Sequence, residues 1–258
     1  MSTFQGKFVW YELMTSDTAA AKAFYRDLLG WEMLDADMGD MTYTLLSAGG
    51  VDVGGLMEVP ADARAMGAGP SWIGYVAVDD VDAGAAQFKA DGGAVYREPS
   101  DIPGVGRFAV VADPQGAVLA LFKGAGEAQG PTAPGNMKPG HVSWRELHTS
   151  DREAAFGFYA KQFGWTKGEA FEMGPLGVYQ LYAWQGETLG GMMNNEPGAP
   201  APWWLYYFAV ENIDASLERA KAAGAQILHG PDEVPGGAWI VQALDPQGAM
   251  FAMVGQRG

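Results

Sequence analysis

Apolar positions along this chain alternate over short runs, switch to helical spacing, and switch back, and that cycle occurs four times. Phe8–Met14 (FVWYELM) is a short run of aromatic and β-branched residues, which predicts a strand. Ser16-Asp17 then supplies capping oxygens. Ala20, Phe24, Tyr25 and Leu28 share one helical face, predicting a helix to about Leu29 that stops at Gly30. Strands are expected near 42–47 and 51–58. After the Pro60–Pro70 stretch the pattern restarts. Trp72–Val78 reads as a strand, Asp79-Asp80 opens a helix to about Ala90, and Gly92-Gly93 closes it. Further strands are expected near 94–97, 107–112 and 117–123. The order is βαβββ twice in the first half, and runs of strands with single helices define an α+β class with mostly antiparallel sheets.

The second half repeats the first. Residues 8–17, FVWYELMTSD, return as 142–151, VSWRELHTSD, an offset of 142 − 8 = 134. Phe24-Tyr25 returns as Phe158-Tyr159, Gly30-Trp31 as Gly164-Trp165, and Gly54-Gly55 as Gly190-Gly191. Trp72, Tyr75, Ala77 and Val78 return as Trp204, Tyr207, Ala209 and Val210, and the turn Asp113-Pro-Gln-Gly-Ala117 as Asp245–Ala249. Ser150 and Glu153 have capping-box spacing at the second copy's first helix. The chain therefore reads as domains 1–124 and 141–258 joined by a Gly/Pro-rich linker at 125–140.

Composition narrows the chemistry. The 258 residues are 48% hydrophobic and include no cysteine, which excludes disulfides, thiolate metal sites and a cysteine nucleophile. A formal net charge of −15 opposes nucleic-acid binding. No basic segment followed by an apolar run opens the chain, and no apolar stretch reaches the ~20 residues of a membrane span, so a cytoplasmic monomer or homodimer is expected. No GxSxG elbow, phosphate loop or dinucleotide fingerprint occurs.

A strand ending in Asp, a helix carrying Phe-Tyr and closed by Gly-Trp, a strand ending Ala-Val-Asp-Asp and a final strand after Asp-Pro-Gln-Gly together resemble the vicinal-oxygen-chelate superfamily. That group includes glyoxalase I, bleomycin-resistance proteins and extradiol dioxygenases. The Trp-x-Glu-Leu and Thr-Ser-Asp wording is similar to its tandem-domain branch. The resemblance implies four βαβββ modules, each pair curling into a cup around a ligand.

It also implies where metal ligands would stand. In this sequence those positions hold Trp10 and Trp144, the stretches Gly55–Met57 and Gly191–Met193, Ile73 and Leu205, and Ala120 and Ala252. None is a good ligand for a divalent ion. Neither a metal nor another cofactor is therefore expected. His141 and His229 read as surface residues. Strand alternation puts Trp144, Glu146 and His148 on one face, matching Trp10, Glu12 and Met14. The resemblance turns that face toward the cavity, so Glu12 and Glu146 are the candidate catalytic carboxylates, with a structural role as the alternative. Those glutamates could instead be held by backbone amides, the Tyr11 region, Arg145 or Arg107. Trp10, Tyr75, Trp144, His148 and Tyr207 are the candidate ligand-binding residues, suited to a flat organic molecule; core packing is their other reading. The leading expectation is metal-independent binding of a small molecule. The alternatives are a metal-free lyase or isomerase using Glu12 or Glu146, a divalent-metal lyase or dioxygenase using His148, and a protein-interaction role with filled cups.

Overall fold

The computed structural model describes residues 4–37, 42–126, 137–196, 198 and 201–258. In the first repeat the elements are β1 (Phe8–Thr15), α1 (Thr18–Leu29), β2 (Glu32–Asp37), β3 (Thr42–Ala48), β4 (Val51–Glu58), α2 (Ala61–Ala65), β5 (Ser71–Ala77), α3 (Val81–Ala90), β6 (Ala94–Ile102), β7 (Gly106–Ala112) and β8 (Val118–Gly124). The second holds β9 (Val142–Thr149), α4 (Arg152–Phe163), β10 (Thr166–Glu172), β11 (Val178–Trp184), β12 (Glu187–Asn194), β13 (Trp203–Asn212), α5 (Ile213–Ala222), β14 (Gln226–Glu233), β15 (Trp239–Leu244) and β16 (Met250–Gln256). Most of the 125–140 linker lies outside the described residues.

Two tandem eight-stranded sheets result, in the orders β2-β3-β4-β1-β5-β8-β7-β6 and β10-β11-β12-β9-β13-β16-β15-β14. Within each module the last three strands form an antiparallel meander. The fourth returns parallel to the first, as in β1 with β4 and β9 with β12. The helix between the first and second strands makes that parallel return possible. Strand β2 was not singled out in the sequence; its residues alternate too weakly to separate from a loop, and pairing with β3 organises it.

Helix starts follow from side-chain caps. Asp17, Asp80, Asp151 and Asn212 each accept a hydrogen bond from the amide three residues on. The Ser150–Glu153 capping box does not form: Asp151 is the cap, the Ser150 hydroxyl donates to Gln115, and Glu153 pairs with Arg152 and Lys167. Gly30 and Gly164 end α1 and α4 in the left-handed region, where glycine carries no Cβ penalty. On α1 the buried face is Ala21, Phe24, Tyr25 and Leu28, so Ala21 takes the place expected of Ala20.

The residues group into two compact units, and each unit draws on both repeats. The first takes the stretch up to Val9, the stretch from Gly74 into the linker, and Trp144–Trp204. The second takes Trp10–Ile73, the stretch up to Ser143, and Leu205–Gly258. In the first unit the buried Tyr159 hydroxyl donates to Asp113 at 2.9 Å and accepts from the Trp204 indole at 3.2 Å. In the second, Tyr25 donates to Asp245 at 3.1 Å and accepts from Trp72 at 3.0 Å. Each aspartate also accepts from two amides of its own Asp-Pro-Gln-Gly turn. The repeated turn and the repeated Phe-Tyr are thus two ends of one buried contact. The indoles of Trp165 and Trp31 donate to Gly6 and Gly140, the loops that lead into the opposite repeat's first strand. Burial pushes the acids of Asp113 and Asp245 up, and the Tyr25 phenol well up.

Two histidines differ in fate. His229 is exposed and pairs with Asp232, as expected of a surface residue. His141, expected at the surface, is buried: its Nδ1 reaches the Pro139 carbonyl at 3.2 Å, and burial lowers its pKa. No helix among the described residues is long and apolar enough to cross a membrane.

Candidate functional site

In the first unit, β9 presents Trp144, Glu146 and His148 on one face. β12 runs parallel beside it, with Gly191 opposite Glu146 and Met193 opposite His148. Tyr179, on β11, swings its ring over Gly191; a Cβ at that glycine would land on the ring. The glycine in mid-strand therefore serves a close approach by an aromatic side chain. A continuous hydrogen-bonded chain results. The Trp144 indole donates to the Tyr179 hydroxyl at 2.7 Å, and that hydroxyl donates to Glu146 Oε2 at 2.6 Å. His148 Nε2 meets Glu146 Oε1 at 2.7 Å. The imidazole stacks on Trp203, at the start of β13, with centroids 4.5 Å apart and planes 6° apart. Glu146 is only 6% exposed, so these donors replace the water its carboxylate has lost. The indole N–H of Trp203 is buried and has no hydrogen-bond partner.

In the second unit, β1 builds the same chain with one end missing. The Trp10 indole donates to the Tyr43 hydroxyl at 2.9 Å, and Tyr43 hydrogen-bonds Glu12. Burial, then the Glu12 charge, push the Tyr43 phenol far above its usual value. A Cβ at Gly55 would collide with the Tyr43 hydroxyl, as at Gly191 with Tyr179. Glu12 is 8% exposed. Here the sequence holds Met14 where the other copy has His148, and Ser71 where it has Trp203.

The structure thus brings Trp144, Glu146 and His148 together in one unit and Trp10 and Glu12 in the other. Tyr75 is buried between Phe108 and Phe122. Tyr207 is buried and its hydroxyl accepts from Gln242 at 2.7 Å. Arg107 binds Asp82 and Asp101, and Arg145 lies over the Phe8 ring. Glu12 meets Tyr43, and Glu146 meets Tyr179 and His148. Tyr43, Tyr179 and Trp203 were not picked out by sequence reasoning. For the tyrosines a signal existed, since they share the offset of the Gly-Gly pairs, 179 − 43 = 191 − 55 = 136.

Among the described residues no group of three or more His, Asp or Glu could hold a metal. On the β9 face the donors are Glu146 and His148, and each Glu146 oxygen already accepts a hydrogen bond. Two donors so engaged do not fit a catalytic divalent ion, which takes three protein ligands in most sites.

Paired βαβββ modules in tandem define a class, and the sequence comparisons agree. The profile of the Glyoxalase/Bleomycin resistance protein/Dioxygenase superfamily matches residues 7–121 and 138–253, and this chain belongs to that superfamily. It is 34% identical over 252 residues to the Mycobacterium tuberculosis protein named "Putative glyoxylase CFP32", covering 97% of this chain and 95% of that one. It is 34% identical over 262 residues to the anthracycline biosynthesis protein DnrV of Streptomyces peucetius, covering 96% of this chain and 93% of that one. Among solved structures, the Mn(II)-bound glyoxalase from Novosphingobium aromaticivorans superposes with a TM-score of 0.65 at 20% identity, covering 100% of this chain and 84% of that one; this likeness is one of fold.

Proposed function

We propose that the chain is a metal-independent small-molecule binding protein whose principal ligand site is the β9 face. One observation carries the reading: the hydrogen-bonded chain Trp144–Tyr179–Glu146–His148 ends on a stacked histidine–tryptophan pair. Flat aromatic walls with a few fixed polar groups suit a planar, oxygenated organic ligand. The donor set argues against a metal, and the relative named for anthracycline biosynthesis is consistent with an aromatic ligand.

The test is intrinsic tryptophan fluorescence during titration with hydroxylated anthraquinones, using protein treated with chelator. Saturable quenching is expected, unchanged by added divalent ions. Trp203→Leu should weaken it about tenfold, the equivalent of ~1.4 kcal/mol. Binding that appears only with a divalent ion, or that ignores Trp203, would refute the proposal.

A second reading, a metal-free lyase or isomerase, draws on the buried carboxylates. With Oε2 receiving Tyr179 and Oε1 receiving His148, Glu146 serves better to hold a neighbour than to take a proton itself.

A further inference from the structure

We infer that His148 is a proton-transfer catalyst, confined to the second repeat, that acts on aromatic ketones bearing an enolisable C–H. The inference rests on the reading of the β9 face as a ligand site and adds a reaction to it. Glu146 is an acceptor on both oxygens: Tyr179 donates to one, so His148 Nε2–H donates to the other. That contact fixes the tautomer and leaves the lone pair on Nδ1, which forms no hydrogen bond among the described residues. The ring cannot easily turn, because Trp203 is stacked against it.

Trp203 adds the complement. Its indole N–H is a buried donor with no partner, carried on the edge of a ring parallel to the imidazole. A donor and an acceptor on the edges of two stacked rings match a carbonyl oxygen and the C–H acid next to it. In the step, Nδ1 takes the α-proton, the C–H electron pair forms the enolate C=C, and the carbonyl π electrons move onto oxygen. The imidazolium is held by Glu146, as in other His–carboxylate pairs where the acid orients and stabilises the ring. Return of a proton from imidazolium to carbon completes a tautomerisation or epimerisation. No oxidant, reductant or metal takes part. The first repeat cannot do this, because Met14 accepts no proton and Ser71 provides no ring.

The experiment measures α-hydrogen exchange into 1-tetralone, 2-tetralone and 1-indanone in D2O by NMR, with binding of each followed by tryptophan fluorescence. The intact protein should exchange at least one of them about 100-fold faster than buffer, the range of general acid–base catalysis. His148→Gln should fall to the buffer rate. Glu146→Gln, a change at a positioning residue, should lower the maximal rate while leaving the ketone's Kd unchanged. His229→Gln, at an exposed histidine, should keep the full rate. If His148→Gln fails to fold, Trp203→Phe reports instead, through a slower rate with the ring retained. Exchange that survives in His148→Gln overturns the inference. So does binding of the ketones with no exchange, and that outcome leaves the ligand-site reading standing. Failure of all planar aromatics to bind removes both.

Discussion

Around β9, a buried glutamate meets a tyrosine, a histidine and, through the histidine, a tryptophan; around β1, the same glutamate and tyrosine meet, with methionine and serine in the other two places. The buried centres show no such divergence. Trp–Tyr–Asp occurs in both units with the same donors and acceptors. The difference has a physical origin. Each centre joins a tyrosine of one repeat to an aspartate of the other, so a change at either end strands a buried polar group. A residue at the open end of the β1 chain has no such partner to strand.

The largest effects should fall on the part the repeats share. Asp113→Ala and Asp245→Ala each leave two turn amides and one tyrosine hydroxyl without their acceptor. A loss of about 3 kcal/mol or more is expected from each, at ~1–3 kcal/mol for a buried group left unsatisfied. Urea unfolding checks this, and clearly unequal losses would break the equivalence of the two centres. The pH response sharpens it. Burial raises both acids above their usual 3.8, so the folded state holds these protons more tightly than the unfolded chain. Their contribution is fully favourable below 3.8 and is lost as pH rises through the folded-state values. The stability of the wild type relative to Asp113→Asn should therefore fall as pH rises through that window. A difference that is flat with pH would contradict the buried placement.

Next in size are the mid-strand glycines. Gly55→Ala and Gly191→Ala each force a methyl into a tyrosine ring, and overpacking of this kind costs ~1–3 kcal/mol. Thermal melts should show similar losses for both. The ligand response should not match: Gly191→Ala displaces Tyr179 from Glu146 and should abolish anthraquinone quenching, whereas Gly55→Ala should spare most of it. Equal loss of quenching would mean that the β1 face binds as well.

Much of this was legible in the sequence, and the exceptions have identifiable causes. The duplication, the α+β class, the aspartate caps and the superfamily could be read because each leaves a local or periodic trace. The face bearing Trp144, Glu146 and His148 follows from strand alternation alone. Tyr43 and Tyr179 did not stand out, because a partner two strands away leaves no periodic mark; the only trace was the glycine each requires. His141 was misplaced since burial of a residue before a strand depends on what covers it. Ser150 had the right spacing for a cap, but Asp151 competes for the same amides and Gln115 claims the serine hydroxyl. The composition of the units from both repeats has no sequence signature, because the Gly/Pro-rich linker marks only where the copies join.

The smallest predicted effect concerns one aspartate held in two ways. Asp82 and Asp214 occupy the same place in α3 and α5, each in the first helical turn. In the first unit Asp82 is held by Arg107 of β7, which also reaches Asp101. In the second unit Trp239 takes the place of that arginine, and Asp214 is held instead by Arg257, past the end of β16. The Arg257 guanidinium lies 4.2 Å from the Trp239 ring centroid. The Arg107 ion pairs are exposed and rest on charge, so Arg107→Gln should cost little in dilute buffer and nothing in molar salt, where the screening length falls to about 3 Å. Arg257→Gln should lose a comparable amount, but part of that loss should persist in molar salt, because stacking on an indole buries area that salt does not screen. Adding Trp239→Ala should then remove the salt-resistant part. Identical salt responses for the two arginines would show that the ring contributes nothing, and that the two acids are held by charge alone.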